Sequence, residues 1–405
     1  MPEQGLRQDA GIRVPAPLAP STSTLLICFS HLRWGFVYQR PQHLLTRAAR
    51  HYRVLFVEEA WFEDTAPRLD LTEVKGGVIV AVPVLPHGMT GDEAEAAQKQ
   101  LLNQLLAGER PEEIIAWYYT PMALGSSDHL EPDLCVYDCM DELSAFRFAP
   151  PNLIEREQAL FDRADLVFTG GLSLYEAKRD RHPSVHAFPS SIDRAHFARA
   201  REPGSEPDDQ IGLPRPRLGY FGVIDERMDL ELVAEMAALR PDWQFVMIGP
   251  VVKIDEASLP RAENIHWLGG RSYDELPDYL SGWDIGLMPF AMNESTRFIS
   301  PTKTPEFLAA GVPVVSTPVV DVVRSWGDAG LVEIAATAPE MIAMADALLA
   351  RPKAAWLEQV DRQLASLSWD RTWNEMHALM RRKLDVSAAT QRQAAKVRAG
   401  EAVHV

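Results

Sequence analysis

SPTKTPEFLAAGVPVVST, Ser300 to Thr317, is the stretch that decides the fold, because it joins a turn, a helix of small and apolar residues, a glycine and an apolar strand. Pro305 has no amide donor, so it fits only within the first turn of a helix. The N-cap is therefore Thr302 or Thr304. A short helix that leads directly into a buried strand is typical of α/β domains with parallel sheets.

The first turn of this predicted helix contains two opposite charges, Lys303 and Glu306. The positive end of a helix dipole suits phosphate oxygens, so Lys303 and the nearby amides are candidates for anion binding. A purely structural interpretation also fits, in which Glu306 complements the helix dipole and Lys303 is solvated. These residues alone leave both interpretations open.

Apolar runs that are typical of buried parallel strands alternate with helical segments in both halves of the chain. In the first half they are TLLICFS, RVLFVEE, GVIVAVPV, EIIAWYYT, LCVYDCM and LVFTG, and in the second half LGYFGVI, QFVMIG, IHWLG, IGLMPF and PVVST. The pattern predicts two Rossmann-like, doubly wound α/β domains that face a cleft. Ligands of such sheets bind outside the carboxyl ends of the strands.

Composition predicts where the domains begin and end. The predicted segments are a disordered lead-in at 1–20, a first domain at 21–200, a linker rich in proline, glycine and charge at 201–217, a second domain at 218–367, an amphipathic last helix at 368–385 and a flexible tail at 386–405.

The overall charge and the cysteines exclude several classes of protein. With 57 acidic and 40 basic residues the formal net charge is −17, which argues against a nucleic-acid partner. Cys28, Cys135 and Cys139 lie in or beside apolar runs, so we expect buried thiols rather than a disulfide or a zinc cluster. The first twenty residues lack the apolar stretch of a signal peptide, which predicts a cytoplasmic location.

One region departs from the acidic average. No acidic residue occurs between Leu32 and Val57, a segment that contains five arginines: Arg33, Arg40, Arg47, Arg50 and Arg53. One interpretation is an ordinary solvated helix face. The other is peripheral contact with an anionic membrane through Arg40, Arg47, Arg50 and Arg53, since each basic residue near such a surface contributes about 1 kcal/mol.

SPTKTPEFLAAGVPVVST resembles the donor-site segment of family-four glycosyltransferases of the GT-B fold. The resemblance implies that Lys303 binds the diphosphate and Glu306 the ribose hydroxyls of a nucleotide sugar. RLGYFGVIDERMDLELV is similar to the glycine-bearing strand and loop of that family. SLSWDRTW is similar to its terminal helix, which crosses back to the first domain. The donor-binding residues that the resemblance implies are Gly35, Gly222, Arg227, Ser300, Pro301, Thr302, Lys303 and Glu306.

Two stretches of the first half, RWGFVYQRPQHLL and YDCMDELS, resemble a bacterial subfamily of these enzymes. Gly35 lies in a loop that approaches donor phosphate in the family. His31 ends a predicted strand, so it is a candidate for the cleft, although a lone histidine is more often structural. Asp141 follows another strand and is either a cleft carboxylate or a helix N-cap. Asp138 and Asp141 have the spacing DxxD, which is not the DxD metal motif.

The resemblance implies a retaining, metal-independent transfer of sugar from a nucleoside diphosphate sugar to a glycan or lipid-linked acceptor. It also implies that the acceptor binds on the side of the first domain. Its catalytic candidates are Lys303, Arg227, Asp141 and His31, and it requires no cofactor. The sequence departs from the family at Phe298, eight positions before Glu306, where a second glutamate is frequent. A nucleotide-sugar epimerase of the same fold and a catalytically inactive scaffold partner in a polysaccharide complex are the alternatives.

Overall fold

The apolar runs form two separate, mainly parallel sheets. The structure is a computed structural model that describes residues 24–202, 204 and 206–401. The predicted lead-in at 1–20 lies outside the described residues. Within this described part, no helix combines the length and the apolar character that a bilayer span requires.

The first sheet contains nine of the described strands. They are β1 (Thr24–Phe29), β2 (Arg53–Val57), β3 (Trp61–Glu63), β4 (Arg68–Val74), β5 (Val78–Pro86), β6 (Glu113–Tyr118), β7 (Leu134–Cys139), β8 (Leu166–Thr169) and β9 (Val185–Ala187). The order is β3-β5-β2-β1-β6-β7-β8-β9, with β4 antiparallel to β5 and all other pairs parallel. Phe29 pairs with both Val57 and Tyr118, so the carboxyl ends of β1, β2 and β6 lie at the same level.

The second sheet is parallel throughout the described strands. It comprises β10 (Arg217–Phe221), β11 (Gln244–Ile248), β12 (Ile265–Gly269), β13 (Ile285–Met288), β14 (Val314–Ser316) and β15 (Val332–Ile334). The strand order is β12-β11-β10-β13-β14-β15. The chain adds strands outward on one side of β10 and then, from β13, on its other side, so the topological switch point lies between β10 and β13. A crevice at such a switch point is where doubly wound sheets bind ligands.

Helices cover both faces of each sheet. On the first domain they are α1 (Arg40–Ala48), α2 (Gly91–Glu109), α3 (Leu124–Ser127), α4 (Leu153–Arg163) and α5 (Leu172–Lys178). The next two helices, α6 (Arg194–Ala198) and α7 (Asp208–Ile211), pack against the core of the second domain. On the second domain they are α8 (Leu230–Leu239), α9 (Leu276–Leu280), α10 (Lys303–Ala309), α11 (Val320–Val322), α12 (Ala338–Ala350), α13 (Lys353–Leu364) and the last helix, α14 (Trp369–Glu401). Short 3-10 turns connect several of them.

The alternation of side chains along the strands produces separate cores on the two faces of each sheet. In β1, Ile27 and Phe29 point into one core and Leu26 and Cys28 into the other. All three cysteines are buried free thiols, as the sequence predicts.

The last helix returns to the first domain. Trp369, Trp373, Met376 and Met380 of α14 are fully or almost fully buried in the same core as Leu26 and Cys28. The predicted amphipathic helix at 368–385 is therefore present, and it continues to Glu401 instead of ending at residue 385.

The proline-rich segment at 201–217 is attached to the second domain. Arg201 donates hydrogen bonds to the carbonyl oxygens of Leu308 and Ala309 and to Asp361. Gln210 is completely buried and accepts a 2.7 Å hydrogen bond from the indole of Trp283. The sequence predicts a linker here, and in the structure polar contacts of Arg201 and Gln210 attach this segment to the second domain.

Candidate functional site

A cavity of about 660 Å³, including the part that is open to solvent, lies between the two sheets at the carboxyl ends of their strands. Residues from both domains line it. From the first domain they are Gln39, Arg40, Met140, Asp141, Gly170 and Ser190, and from the second Tyr220, Arg227, Phe290, Ile299, Ser300, Pro301, Thr302 and Lys303. Six of the residues predicted from the sequence therefore meet here: Asp141, Arg227, Ser300, Pro301, Thr302 and Lys303.

The start of α10 is where the sequence predicts it. Thr302 is the N-cap, although its side chain does not cap the helix, and the helix begins at Lys303. In the described part of the chain the backbone amides of Thr302 and Lys303 have no hydrogen-bond acceptor. These two donors lie at the wall of the cavity and are available to an anion.

Gly222 makes room for the Lys303 side chain. It follows β10 with φ +128°, a backbone conformation that side-chain-bearing residues rarely adopt. A Cβ at this position would lie 2.2 Å from Cε and 2.5 Å from Nζ of Lys303. The ammonium also lies 5.4 Å from the ring centroid of Tyr220. The absence of a side chain at Gly222 thus leaves the space that the Lys303 side chain occupies.

Arg227 also lines the cavity, and its guanidinium is held by several contacts. Its Nε lies 2.9 Å and its Nη2 2.6 Å from carboxylate oxygens of Asp225, which is 4% exposed. The backbone amide of Arg227 donates to the same carboxylate at 3.0 Å. The guanidinium also lies 5.3 Å from the ring centroid of Phe146 in the first domain. Nη1 makes no hydrogen bond within the described residues.

Asp141 is the acidic group of the cavity. Burial raises the pKa of Asp141 to about 6, even though the positive charge of Arg227 acts in the opposite direction. Its side chain makes no hydrogen bond in the described part of the chain, so the prediction of a helix N-cap is wrong. The segment after it begins instead from Glu142, as a single 3-10 turn at Leu143–Ala145.

Glu306 is more deeply buried than the structural interpretation of the sequence expects. It is 6% exposed and does not line the cavity. Burial raises the pKa of Glu306, and the charge of Lys303 opposes that rise. Burial likewise lowers the pKa of Lys303, and the charge of Arg227 adds to that effect. The two groups make no ion pair within 4 Å, so each retains capacity for a ligand.

His31 and Gly35 follow β1 but do not line the cavity. Burial lowers the pKa of His31 to about 4, and the nearby charge of Lys253 adds to the shift. Its Nδ1 is buried without a hydrogen-bond partner in the described structure. Gly35 is exposed, and a Cβ there would meet no atom within 4 Å. Of these two, only His31 lies near charged groups of the second domain.

Arg40 is a buried structural residue, and the prediction that it contacts a membrane is wrong. It is 2% exposed and binds Asp138 through Nε and Nη2, at distances of 2.9 to 3.2 Å. The other arginines of the predicted basic patch also have carboxylate partners. These pairs are Arg33 with Glu58, Arg47 and Arg50 with Asp370, and Arg53 with Glu109. The acidic partners come from outside the basic stretch, so the sequence pattern did not reveal them.

Contacts between the domains close the cavity at one end. Asp321, at 3% exposure, accepts hydrogen bonds from the amides of Leu172 (2.9 Å) and Ser173 (3.0 Å) at the start of α5. A Cβ on Gly171 would lie 2.4 Å from Asp321 Oδ2 and 2.8 Å from Ser300 Cβ. Asp321 of α11 thus caps α5 of the first domain, beside the cavity.

Phe298 also joins the domains. Its side chain packs against the first-domain core that includes Phe29. The position where the resembling family often has a second glutamate is therefore an apolar interdomain contact. Sequence reasoning missed Asp321, Asp225 and the cavity wall at Ser190. Only Asp225 carries a local signal, as a carboxylate two positions before Arg227.

The second domain matches a known family. Residues 215–351, which include the second sheet, match the model described as glycosyl transferases group 1. A curated relative, the putative teichuronic acid biosynthesis glycosyltransferase TuaH of Bacillus subtilis (strain 168), is 29% identical over 236 residues. That alignment covers 54% of this chain and 59% of the relative.

Solved structures match over most of the chain. Sucrose-phosphate synthase from Thermosynechococcus elongatus has a TM-score of 0.68 at 15% identity and covers 90% of this chain and 100% of its own. The catalytic domain of starch synthase IV from Arabidopsis thaliana, bound to ADP and acarbose, has a TM-score of 0.64 at 10% identity with the same coverage. The fold is GT-B. The matching family model and the curated relative are both described as glycosyltransferases.

Proposed function

We propose that this protein is a glycosyltransferase that moves a sugar from a nucleoside diphosphate sugar to a glycan or lipid-linked acceptor. The observation that carries the proposal is the convergence of Lys303 and Arg227 on one cavity, beside two free backbone amides. Two cations and two amides match the charge and the acceptor oxygens of a diphosphate. The name of the curated relative supports a role in polysaccharide or glycoconjugate biosynthesis.

In the proposed reaction the bond between the anomeric carbon and the diphosphate oxygen breaks. Lys303 and Arg227 stabilise the negative charge that develops on the departing diphosphate, without a metal ion. The acceptor hydroxyl forms the new bond on the same face and gives its proton to the leaving phosphate oxygen, so the anomeric configuration is retained. Asp141, on the opposite wall, orients the acceptor hydroxyl.

The remaining predicted residues serve the donor in this proposal. Glu306 binds the ribose hydroxyls, and Ser300 and Pro301 form the wall beside the sugar. Gly222 allows Lys303 to lie over the β10 loop, as its contact distances support. His31 stays outside the wall of the cavity as a neutral imidazole, because its pKa is lowered.

The test is substitution of the proposed diphosphate lysine. Lys303→Ala should abolish or severely reduce sugar transfer while the far-ultraviolet circular dichroism and the melting temperature are retained. Lys99→Ala is the matched control, since Lys99 pairs with Asp128 at 2.6 Å and lies outside the cavity. Normal turnover by the Lys303 variant with a confirmed donor would refute the proposal.

A catalytically inactive scaffold is the second candidate, and the observation that favours it is Phe298 in place of an acid. Thermal-shift measurements with UDP, GDP, ADP and TDP decide between the two, because a bound ligand stabilises the folded state. Binding of none of them supports the scaffold. Product analysis with donor alone identifies the epimerase alternative, since an epimerase needs no acceptor.

A cytoplasmic location and peripheral membrane contact remain predictions. Arg47 and Arg50 are the two candidate arginines that share Asp370, and Arg50 is 62% exposed. Partial neutralisation by Asp370 reduces the attraction of this face to anionic lipid. Sedimentation with phosphatidylserine vesicles, comparing wild type with Arg50→Glu, measures the contact directly.

A further inference from the structure

The ring of Tyr273 is clamped at the junction of the two domains. It follows β12 in the second domain and stacks on Tyr38 of the first domain at 4.4 Å between centroids. On the other side it stacks on His196 at 4.2 Å with an interplanar angle of 7°. Phe197 and His43 contact the ring edgewise, each at 5.5 Å. The position of its hydroxyl is therefore fixed by four neighbours.

The hydroxyl of this clamped ring has no partner. The Tyr273 oxygen is buried, and no donor or acceptor within the described residues makes a hydrogen bond to it. A buried polar group without a partner is unfavourable in a folded protein, and native structures contain few of them. The neighbouring Tyr279, by contrast, accepts from Arg271 at 2.6 Å and donates to Asp209 at 2.9 Å.

A second unpaired group, the carboxyl group of Glu306, is near enough to act on it electrostatically. The carboxylate of Glu306 also makes no hydrogen bond and no ion pair in the described part of the chain. Burial raises the pKa of Tyr273, and the charge of Glu306 is the largest electrostatic contribution to that rise. The hydroxyl therefore stays protonated and can donate, while the carboxyl group of Glu306 offers oxygens that accept. A vicinal diol satisfies both groups, because each of its hydroxyls donates and accepts.

We propose that the Tyr273 hydroxyl is a ribose-binding group that acts together with Glu306 in the nucleoside half of the donor site. The proposal rests on the function proposed above and deepens it, since it adds a residue that selects ribonucleotides. Tyr273 donates to one ribose oxygen, and Glu306 accepts from the ribose hydroxyls. Tyr38 covers Tyr273 in this structure and belongs to the first domain, so separation of the domains gives the nucleoside access.

The test is Tyr273→Phe, which removes one oxygen and keeps the stacked ring. Dissociation constants are measured by calorimetry for whichever of the ribonucleotides UDP, ADP and GDP binds wild type most tightly, for its 2′,3′-dideoxy analogue and for inorganic diphosphate. We expect about tenfold weaker binding of the nucleoside diphosphate, corresponding to one hydrogen bond. The dideoxy analogue and inorganic diphosphate should bind wild type and variant equally.

Stability distinguishes this role from a structural one. The melting temperature of free Tyr273→Phe should equal or exceed that of wild type, because the variant loses an unpaired buried oxygen. Tyr279→Phe is the matched control: it loses two hydrogen bonds, so it should melt lower and bind the nucleotide normally.

Unchanged affinity of Tyr273→Phe for the nucleotide, or an equal loss of affinity for inorganic diphosphate, overturns the ribose-binding role of Tyr273 and leaves the proposed function unaffected. Absence of binding of UDP, GDP, ADP and TDP to wild type overturns the proposed function, and the inference falls with it.

Discussion

The strongest test of the interdomain geometry is Asp321→Ala. The carboxylate accepts two backbone hydrogen bonds from the amides of Leu172 and Ser173 while it is 3% exposed. Hydrogen bonds to a charged group contribute about 1.5–3 kcal/mol each, so the variant loses about 3–6 kcal/mol of interdomain stabilisation. Since about 1.4 kcal/mol is a factor of ten, the closed arrangement should lose a factor of roughly 10² to 10⁴ relative to an open one.

Small-angle X-ray scattering measures the outcome as a larger radius of gyration for free Asp321→Ala than for wild type. Arg324→Ala is the matched control on the neighbouring turn. Its ion pair with Glu176 is 2.8 Å long, but both side chains are about half exposed, and such pairs contribute about 0–1 kcal/mol. Scattering profiles that are identical for wild type and Asp321→Ala would refute the role of the carboxylate as a clasp between the domains.

Three further predictions concern the site itself. Gly222→Ala should displace Lys303 and so reduce nucleotide affinity, measured by calorimetry, and should lower the free energy of unfolding by about 1–3 kcal/mol, measured with denaturant. Gly212→Ala is the control and should be neutral, because a Cβ there meets nothing within 4 Å. Asp138→Asn should destabilise the fold by about 3–5 kcal/mol in urea unfolding, because it leaves a buried arginine unpaired; a loss below about 1 kcal/mol would contradict this. The pKa of Asp141 is raised, so the folded protein binds the Asp141 proton more tightly than the unfolded chain, and the free energy of unfolding falls as pH rises from about 4 to about 6. Asp141→Asn has no such proton, so its free energy of unfolding should fall by about 2–3 kcal/mol less over this range. Parallel pH profiles of wild type and variant would disprove this prediction.

The local pattern of the donor segment could be predicted because its causes are local. Pro305 restricts where a helix can start, and the structure begins that helix at Lys303 with Thr302 as N-cap. The long buried strands were also predictable, since continuous apolar runs identify strands that are covered on both faces. The antiparallel strand β4 and the three-residue strands β3, β9 and β15 were missed, and β3 is exposed along its whole length.

The contacts that assemble the site could not be predicted, because their partners are distant in the chain. Asp321 caps a helix about 150 positions earlier, and Arg40 pairs with Asp138, 98 positions later. A run of arginines without acids therefore resembles a basic patch until folding brings the acids to it. The clamped position of Tyr273 likewise depends on rings from three separate segments.

The return of α14 to the first domain has a consequence for synthesis on the ribosome. The core that holds Leu26 and Cys28 is completed by Trp369, Trp373 and Met380, so the first domain lacks one wall until nearly the whole chain has been translated. At roughly 5–20 residues per second, the interval is on the order of 10–40 s. During that time the nascent first sheet exposes an apolar face, which makes it a substrate for chaperones that bind during translation.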